Sequence, residues 1–350
     1  MNMSFLSLSV ITVAVIITAG QTYLVIGLSD RDIDSINSTP GITWKAKHNL
    51  DPGVIARWQK SLDKPLSQKF RQILLRLTGK EKRVKLRRDL PASFDARIKW
   101  RNCTSLNTVR DQSNCVSGFA VNTAATITDR LCIGGSQEKV NISGLDLLAC
   151  AHSGSGCCGG YQADVWNYYV NQGVVTGGAY GSKQGCIPYS LAPCHHSVKE
   201  GRGKSYRHQD NKVLPTCKGI ADTPKCVQQC REGYSKTYSA DKHFGEEWYW
   251  VQGEKAIMQE LVDHGPLTAS MEVWEDFYSY KSGVYKYVKG EAEGSQVVKL
   301  LGYGTENGQN FWLAANSWNT DWGEKGFFKI ARGTNECQIE HFAVTGKPQV

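Results

Sequence analysis

Charge is missing from the start of this 350-residue chain: the first twenty residues, MNMSFLSLSVITVAVIITAG, hold no charged side chain. Cysteine is missing for longer, the first of twelve being Cys103. There is no low-complexity tract, and past residue 28 no apolar run is long enough to span a bilayer. These gaps leave a globular protein, and 350 residues can bury one large core or two smaller ones. Basic excess is also missing from most of the chain. Residues 1–89 carry 15 Lys and Arg against 7 Asp and Glu, whereas residues 90–350 balance at 26 against 26. The net charge of +8 therefore belongs to the leader, with seven basic residues between Arg76 and Arg88. The body offers no basic patch, so a nucleic-acid partner is not expected.

What is present fills in the organisation. The apolar stretch Phe5–Ala19 has the length of a signal-peptide core, and Thr18, Ala19 and Gly20 are small enough for cleavage. A second apolar patch, YLVIGL at 23–28, leaves an uncleaved signal anchor as the one route to a membrane. Eleven of the twelve cysteines lie between Cys103 and Cys230, a density that in a chain with an entry signal implies an oxidising compartment and several disulfides. No pair of histidines follows Cys226 and Cys230 at zinc-finger spacing, so neither a metal nor a cofactor is expected. Sequons at Asn37, Asn102 and Asn141 fit a secreted chain.

Residues 21–89 are polar, basic and free of cysteine, with apolar residues at helical spacing over 54–77 broken by Pro65. The dibasic Arg87-Arg88 and Pro91 mark a boundary, read either as a site of leader removal or as a solvated linker. Beyond it a helix is expected over Val116–Leu131, with Phe119, Ala120, Thr123, Ala124 and Ile127 on one face and Ser113 or Asn114 as cap. Further helices are expected over 162–172 and 255–264, the latter stopped by Gly265-Pro266. TASMEVW, VVKLLGYG, FWLAANSW and GFFKIAR then read as strands. A helical, disulfide-rich half followed by a β half predicts an α+β fold of two subdomains with a cleft between them.

The segments LPASFDAR, DTPKC, DKHFG, YKSGVY, ANSWNTDWGEKGFFKIARG and, in the leader, TWKAKHN resemble the cathepsin B branch of the papain-like cysteine peptidases. The resemblance runs from Thr43 to Gly346. It implies a signal peptide at 1–20, a pro-segment at 21–89 and a papain-like body at 90–350 with an occluding-loop-like insertion near 186–217. It pairs Cys103–Cys132, Cys115–Cys157, Cys150–Cys226, Cys186–Cys230 and Cys194–Cys217. Cys337 falls where the family has an unpaired cysteine, and Cys158 where it usually has asparagine.

A cysteine peptidase needs a thiolate, an imidazole to hold the proton and a group to orient that imidazole. The helix N-terminus favours the negative charge, and donors face the developing oxyanion. By resemblance the nucleophile belongs at Gly118 and the base at Gln296, while Asn316 is the orienting group and Gln112 the oxyanion donor. Glycine offers nothing to attack with, and a glutamine amide accepts no proton near neutrality. Ser117 is not a substitute, because one helical residue turns it about 100° away. The resemblance places Gly159 and Gly160 on the peptide-pairing edge, Trp318 on an aromatic wall, and Phe342 where the family carries an acid at the base of a pocket. It puts His195 and His196 near the loop histidines that hold a substrate carboxylate. For Gly159 and Gly160 the plain alternative is that they only serve tight turns.

The leading expectation is a monomeric, secreted or lysosomal homologue without peptidase activity, binding peptides, proteins or cystatin-like inhibitors in its cleft. A matrix-type scaffold is the second reading, and a peptidase working by another route the third.

Overall fold

The structure, a computed structural model, describes residues 30–46, 89–136, 139–194, 214–215, 217 and 219–350. The signal peptide expected at 1–20, the helical spacing at 54–77, the dibasic Arg87-Arg88, and both His195 and His196 lie outside the described residues.

One half is built around a central helix, Gly118–Ile133, in which every residue from Gly118 to Leu131 is buried. Such a helix has no solvent-exposed face from Gly118 to Leu131, so spacing alone could show only part of its contacts. Small residues (Ala120, Thr123, Ala124, Ala125) let neighbours close in on all sides. Two shorter helices lie beside it. Gly144–Cys150 is capped by Ser143 Oγ, which accepts from Asp146 N–H at 3.0 Å. Gln162–Asn171 buries Val165, Trp166 and Tyr169. The cap expected for the central helix at Ser113 or Asn114 does not form. The helix starts later, its N-cap position is Ser117, and that side chain makes no capping bond. Cys115, bridged to Cys157, holds the preceding segment off the helical path, and Ser113 takes a positive φ of 59°. All five disulfides implied by the resemblance are formed. Cys158 is free and exposed, and Cys337 is free and buried.

The other half is a sheet. Its strands are β1 (Trp44–Ala46), β2 (Phe94–Asp95), β3 (Gly245–Val251), β4 (Leu267–Trp274), β5 (Tyr280–Tyr285), β6 (Ala292–Glu306), β7 (Gln309–Ala315), β8 (Phe327–Ala331) and β9 (Ala343–Pro348). They run in the order β1-β5-β8-β7-β6-β4-β9-β3, with β2 on the side of β6. All pairs are antiparallel except β5 with β8. Phe277, Tyr280, Tyr285, Trp312, Trp322 and Phe328 are fully buried in its core. The long strand β6 touches both halves: in register with β4 it sets Gln296 opposite Met271, and its Lys299 meets Asp129 of the central helix at 2.7 Å with both side chains buried. The α+β architecture expected from the sequence, a helical, disulfide-rich half beside a β half, is the one observed.

The leader contributes the edge strand β1. Trp44 pairs with Gly283 of β5, is 1% exposed, and packs against Tyr285 at 5.0 Å between ring centroids. The preceding helix, Asp30–Ser38, sends Ile33 and Ile36 into the same core, and the Asn37 carboxamide holds the Ala46 backbone from both sides.

A second buried pair ties the halves together and makes the fold acid-sensitive. Arg130 and Glu260 meet at 2.8 Å, 3% and 1% exposed. Burial pushes the Glu260 carboxyl up, but Arg130 and His264 outweigh it and hold the pKa at about 2, against an ordinary value of 4.5. A carboxylate with a depressed folded pKa stabilises above its unfolded pKa and loses that contribution as pH falls toward the folded one. Urea melts should therefore show about 3 kcal/mol lost between pH 5 and pH 2 that Glu260→Gln does not lose.

Candidate functional site

Three stretches meet at the start of the central helix: the segment before it, carrying Gln112; β6, carrying Gln296; and the turn after β7, carrying Asn316 and Ser317. Backbone bonds set their spacing. Gln112 N–H donates to Ser317 O at 2.9 Å. Tyr189 OH donates to Gln112 O at 3.0 Å and bonds Ser117 Oγ at 2.9 Å, tying the loop to the helix start.

Side chains then close the centre. Gln296 Nε2 donates to Asn316 Oδ1 at 2.9 Å and Gln112 Oε1 at 3.0 Å, and lies 3.2 Å from Ser317 Oγ. Ser317 Oγ donates to Gln112 Oε1 at 2.7 Å and accepts from Asn122 Nδ2 at 3.1 Å. A Cβ added at Gly118 would stand 2.6 Å from Gln296 Oε1 and 2.9 Å from both its Cδ and Nε2. Gln296 therefore fills the space a side chain at 118 would need. Gln112, Gly118, Gln296 and Asn316 thus form one buried cluster with Ser317 and Asn122. The cluster holds no thiol, imidazole or carboxylate. What it offers is hydrogen bonding by neutral amides and a hydroxyl, none of which titrates near neutrality. Ser317 and Asn122 escape sequence reading, although Ser317 lies inside ANSWN and Asn122 follows Gly118 by one helical turn.

The rest of the cleft is uneven. Gly159 spends both backbone groups inside its own turn, accepting from Ser155 N–H at 2.7 Å and donating to Gly156 O at 3.0 Å, with φ of 113°. Gly160 differs: among the described residues nothing bonds its N–H or its C=O. A Cβ there would meet the Phe119 ring at 2.7 Å and Ser153 O at 2.8 Å. Gly159 therefore serves the turn, and Gly160 alone presents an open edge beside the residue after Gly118. Trp318 is not an open wall. It is 2% exposed and stacks on the equally buried Tyr278 at 5.3 Å and 17°. Phe342, 8% exposed, packs against Trp250, while its carbonyl accepts from Gln162 Nε2 at 2.7 Å. Of the sequons, Asn102 is exposed, Asn141 Oδ1 accepts from Arg110 at 2.7 Å, and Asn37 is engaged with Ala46. Burial lowers the pKa of that Arg110 to about 10 despite the nearby Asp129.

Comparison with known proteins places this geometry. A model of the papain family cysteine proteases matches residues 90–347. Cathepsin B-like cysteine proteinase 4 of Caenorhabditis elegans is 47% identical over 268 residues, covering 75% of this chain and 76% of that protein. The cathepsin B-like cysteine proteinase of Schistosoma japonicum is 39% identical over 328 residues, covering 91% and 90%. Among solved structures, procathepsin B S9 of Trypanosoma congolense superposes with a TM-score of 0.73 at 34% identity, covering 92% of this chain and 99% of that one.

Proposed function

The chain belongs to the papain family of cysteine proteases and has cathepsin B-like relatives, and from that premise we propose that it is a member without peptidase activity that keeps its cleft for binding. One observation carries the reading. At the meeting point of helix, β6 and the turn after β7, where this chemistry needs a thiolate and an imidazole, Gly118 has no side chain and the amide of Gln296 occupies the space one would take. Two losses that fit one another sterically speak for a settled arrangement. Residues 21–89 act as a pro-segment docked through β1, and residues 90–350 as the body, reached through a signal peptide and delivered outside the cell or to the lysosome. The ligand is a peptide or protein segment, cystatin-like inhibitors included, lying along Gly160 in extended form.

The test is direct. Purified chain should neither hydrolyse a dipeptidyl fluorogenic substrate nor take up a thiol-directed epoxide at residue 118, yet should retain extended peptides in calorimetry. Turnover that survives removal of contaminating peptidases would sink the proposal. Gly160→Ala should weaken peptide binding by about tenfold, the worth of one or two backbone hydrogen bonds. A matrix-type scaffold stands as the second reading if no peptide binds.

A further inference from the structure

A second groove, of about 1080 Å³, crosses the helical half, and none of Gly118, Gln296, Asn316 or Gly160 lines it. Its floor is the central helix, where Val121, Ala125 and Thr128 are too small to fill the space above them. The Cys103–Cys132 bridge fastens Asn102 and Thr104 to the last turn of that helix, and all three of Asn102, Thr104 and Cys132 line the groove. Asn102 and Thr104 are exposed, and neither side chain has a hydrogen-bond partner among the described residues. The sequon Asn102-Cys103-Thr104 therefore opens onto a ready-made trough.

The lining suits a neutral, hydroxyl-rich occupant. Arg110, Lys139 and Lys236 face Asp111 and Asp241, which nearly balances the charge. The two deepest charges are already satisfied by protein. The Arg110 guanidinium donates to Ile142 O, Thr128 Oγ1 and Asn141 Oδ1 at 2.7–3.1 Å, and the Asp241 carboxylate accepts from Thr176 Oγ1 and Tyr234 OH. What remains for a ligand is the ring of Tyr180, 50% exposed, and the exposed amide of Gln184. A ring and an amide match a sugar, which presents apolar ring faces and hydroxyls together. The volume lies at the top of the range for ligand pockets, about 300–1,000 Å³, so it holds several sugar rings.

We infer that Asn102 carries an N-linked glycan and that this glycan lies along the groove to Tyr180. The donor is a lipid diphosphate-linked oligosaccharide. Asn102 Nδ2 forms a bond to the anomeric carbon, the bond from that carbon to the diphosphate breaks, the lipid diphosphate leaves, and the amide loses one proton. Both sequon side chains stay exposed in the folded chain, so transfer is open before or after Cys103–Cys132 closes. The sequon at Asn141 is different, although Asn141 also lines the groove. Folding seals its Ser143, 1% exposed, which donates to Ile187 O at 2.6 Å and accepts from Asp146 N–H at 3.0 Å. The inference rests on the secretory route proposed above.

The experiment uses the full chain with its own leader, expressed in insect cells. Mass spectrometry of glycopeptides from the secreted chain should find a glycan at Asn102, absent in Asn102→Gln. Peptide-N-glycosidase should then release that glycan from native Tyr180→Ala and Gln184→Ala at least about tenfold faster than from the native parent, the population shift that one or two lost contacts bring. Once denatured, all three should release it equally. A secreted chain with Asn102 bare overturns the inference and leaves the secretory route standing. A chain neither secreted nor glycosylated at any sequon sinks that route and the inference with it. Equal native rates in the parent and both variants overturn the seating in the groove.

Discussion

Gly118→Cys combined with Gln296→His should give a folded chain that cleaves a dipeptidyl fluorogenic substrate with kcat/KM at least about a thousandfold above either single variant. The expectation of so steep a synergy follows from how such groups act. In a nucleophile–base pair either loss alone costs nearly as much as both, so either gain alone recovers almost nothing. The structure adds a steric reason. With Gln296 in place, a new side chain at 118 meets its amide at 2.6–2.9 Å, and the cysteine must displace that amide before it can face the cleft. With both changes the seat is already built. Asn316 Oδ1, which accepts from Gln296 Nε2 at 2.9 Å, can accept from an imidazole N–H in the same place. The helix N-terminus behind residue 118 favours a thiolate, and Gln112 Nε2 remains free to donate to an oxyanion. Melting curves keep the result interpretable. A double variant that melts like the parent and stays inert would mean that the groove as well as the chemistry has diverged.

The cluster is legible in the sequence only where a motif marks it. Asn316 sits in ANSWN and Gln112 in RDQ, and the order of motifs along the chain is enough to point to Gly118 and Gln296. What closes the centre is not local. Asn122, Ser317 and Tyr189 are brought in from a helix, a turn and a loop that lie far apart in sequence, and none of them has a pattern of its own. The strands follow well from alternation because one face of each is buried, as in β4. β3 does not, since GEEWYWV puts two glutamates together before its buried end. Helix starts fare worst where a disulfide overrides capping, as at Cys115, and burial all round hides the central helix's true contacts. Trp318 shows the limit of a matched position. Its place in the motif suggests an aromatic wall, yet a neighbour from another segment, Tyr278, covers it by stacking.

The leader should stay on the body when the chain is cut after Arg88, and Trp44→Ala should release it. β1 pairs through only three residues, and just before it Thr43 O accepts from Val284 N–H at 3.0 Å while the Thr43 side-chain Oγ1 donates to Val284 O at 2.8 Å. Three residues of edge pairing are too little to hold a segment alone. The anchor is Trp44, 1% exposed against Tyr280 and Tyr285, its indole N–H donating to Lys286 O at 2.9 Å. Asn37 bonds the Ala46 backbone in both directions, so helix and strand dock as one rigid piece. Truncating a buried tryptophan costs about 3–5 kcal/mol, which weakens docking by roughly two to four powers of ten. Size exclusion with mass spectrometry of the cut protein at neutral pH checks this, with the parent leader eluting on the body and the Trp44→Ala leader alone. If the parent leader separates, β1 is held only by its covalent tether. If the variant leader stays, the anchor lies elsewhere in the leader. On the reading proposed above, the body has no nucleophile with which to cut its own leader. Residues 30–46 then remain part of the working molecule until another protease removes them, and the sheet keeps β1 as its edge.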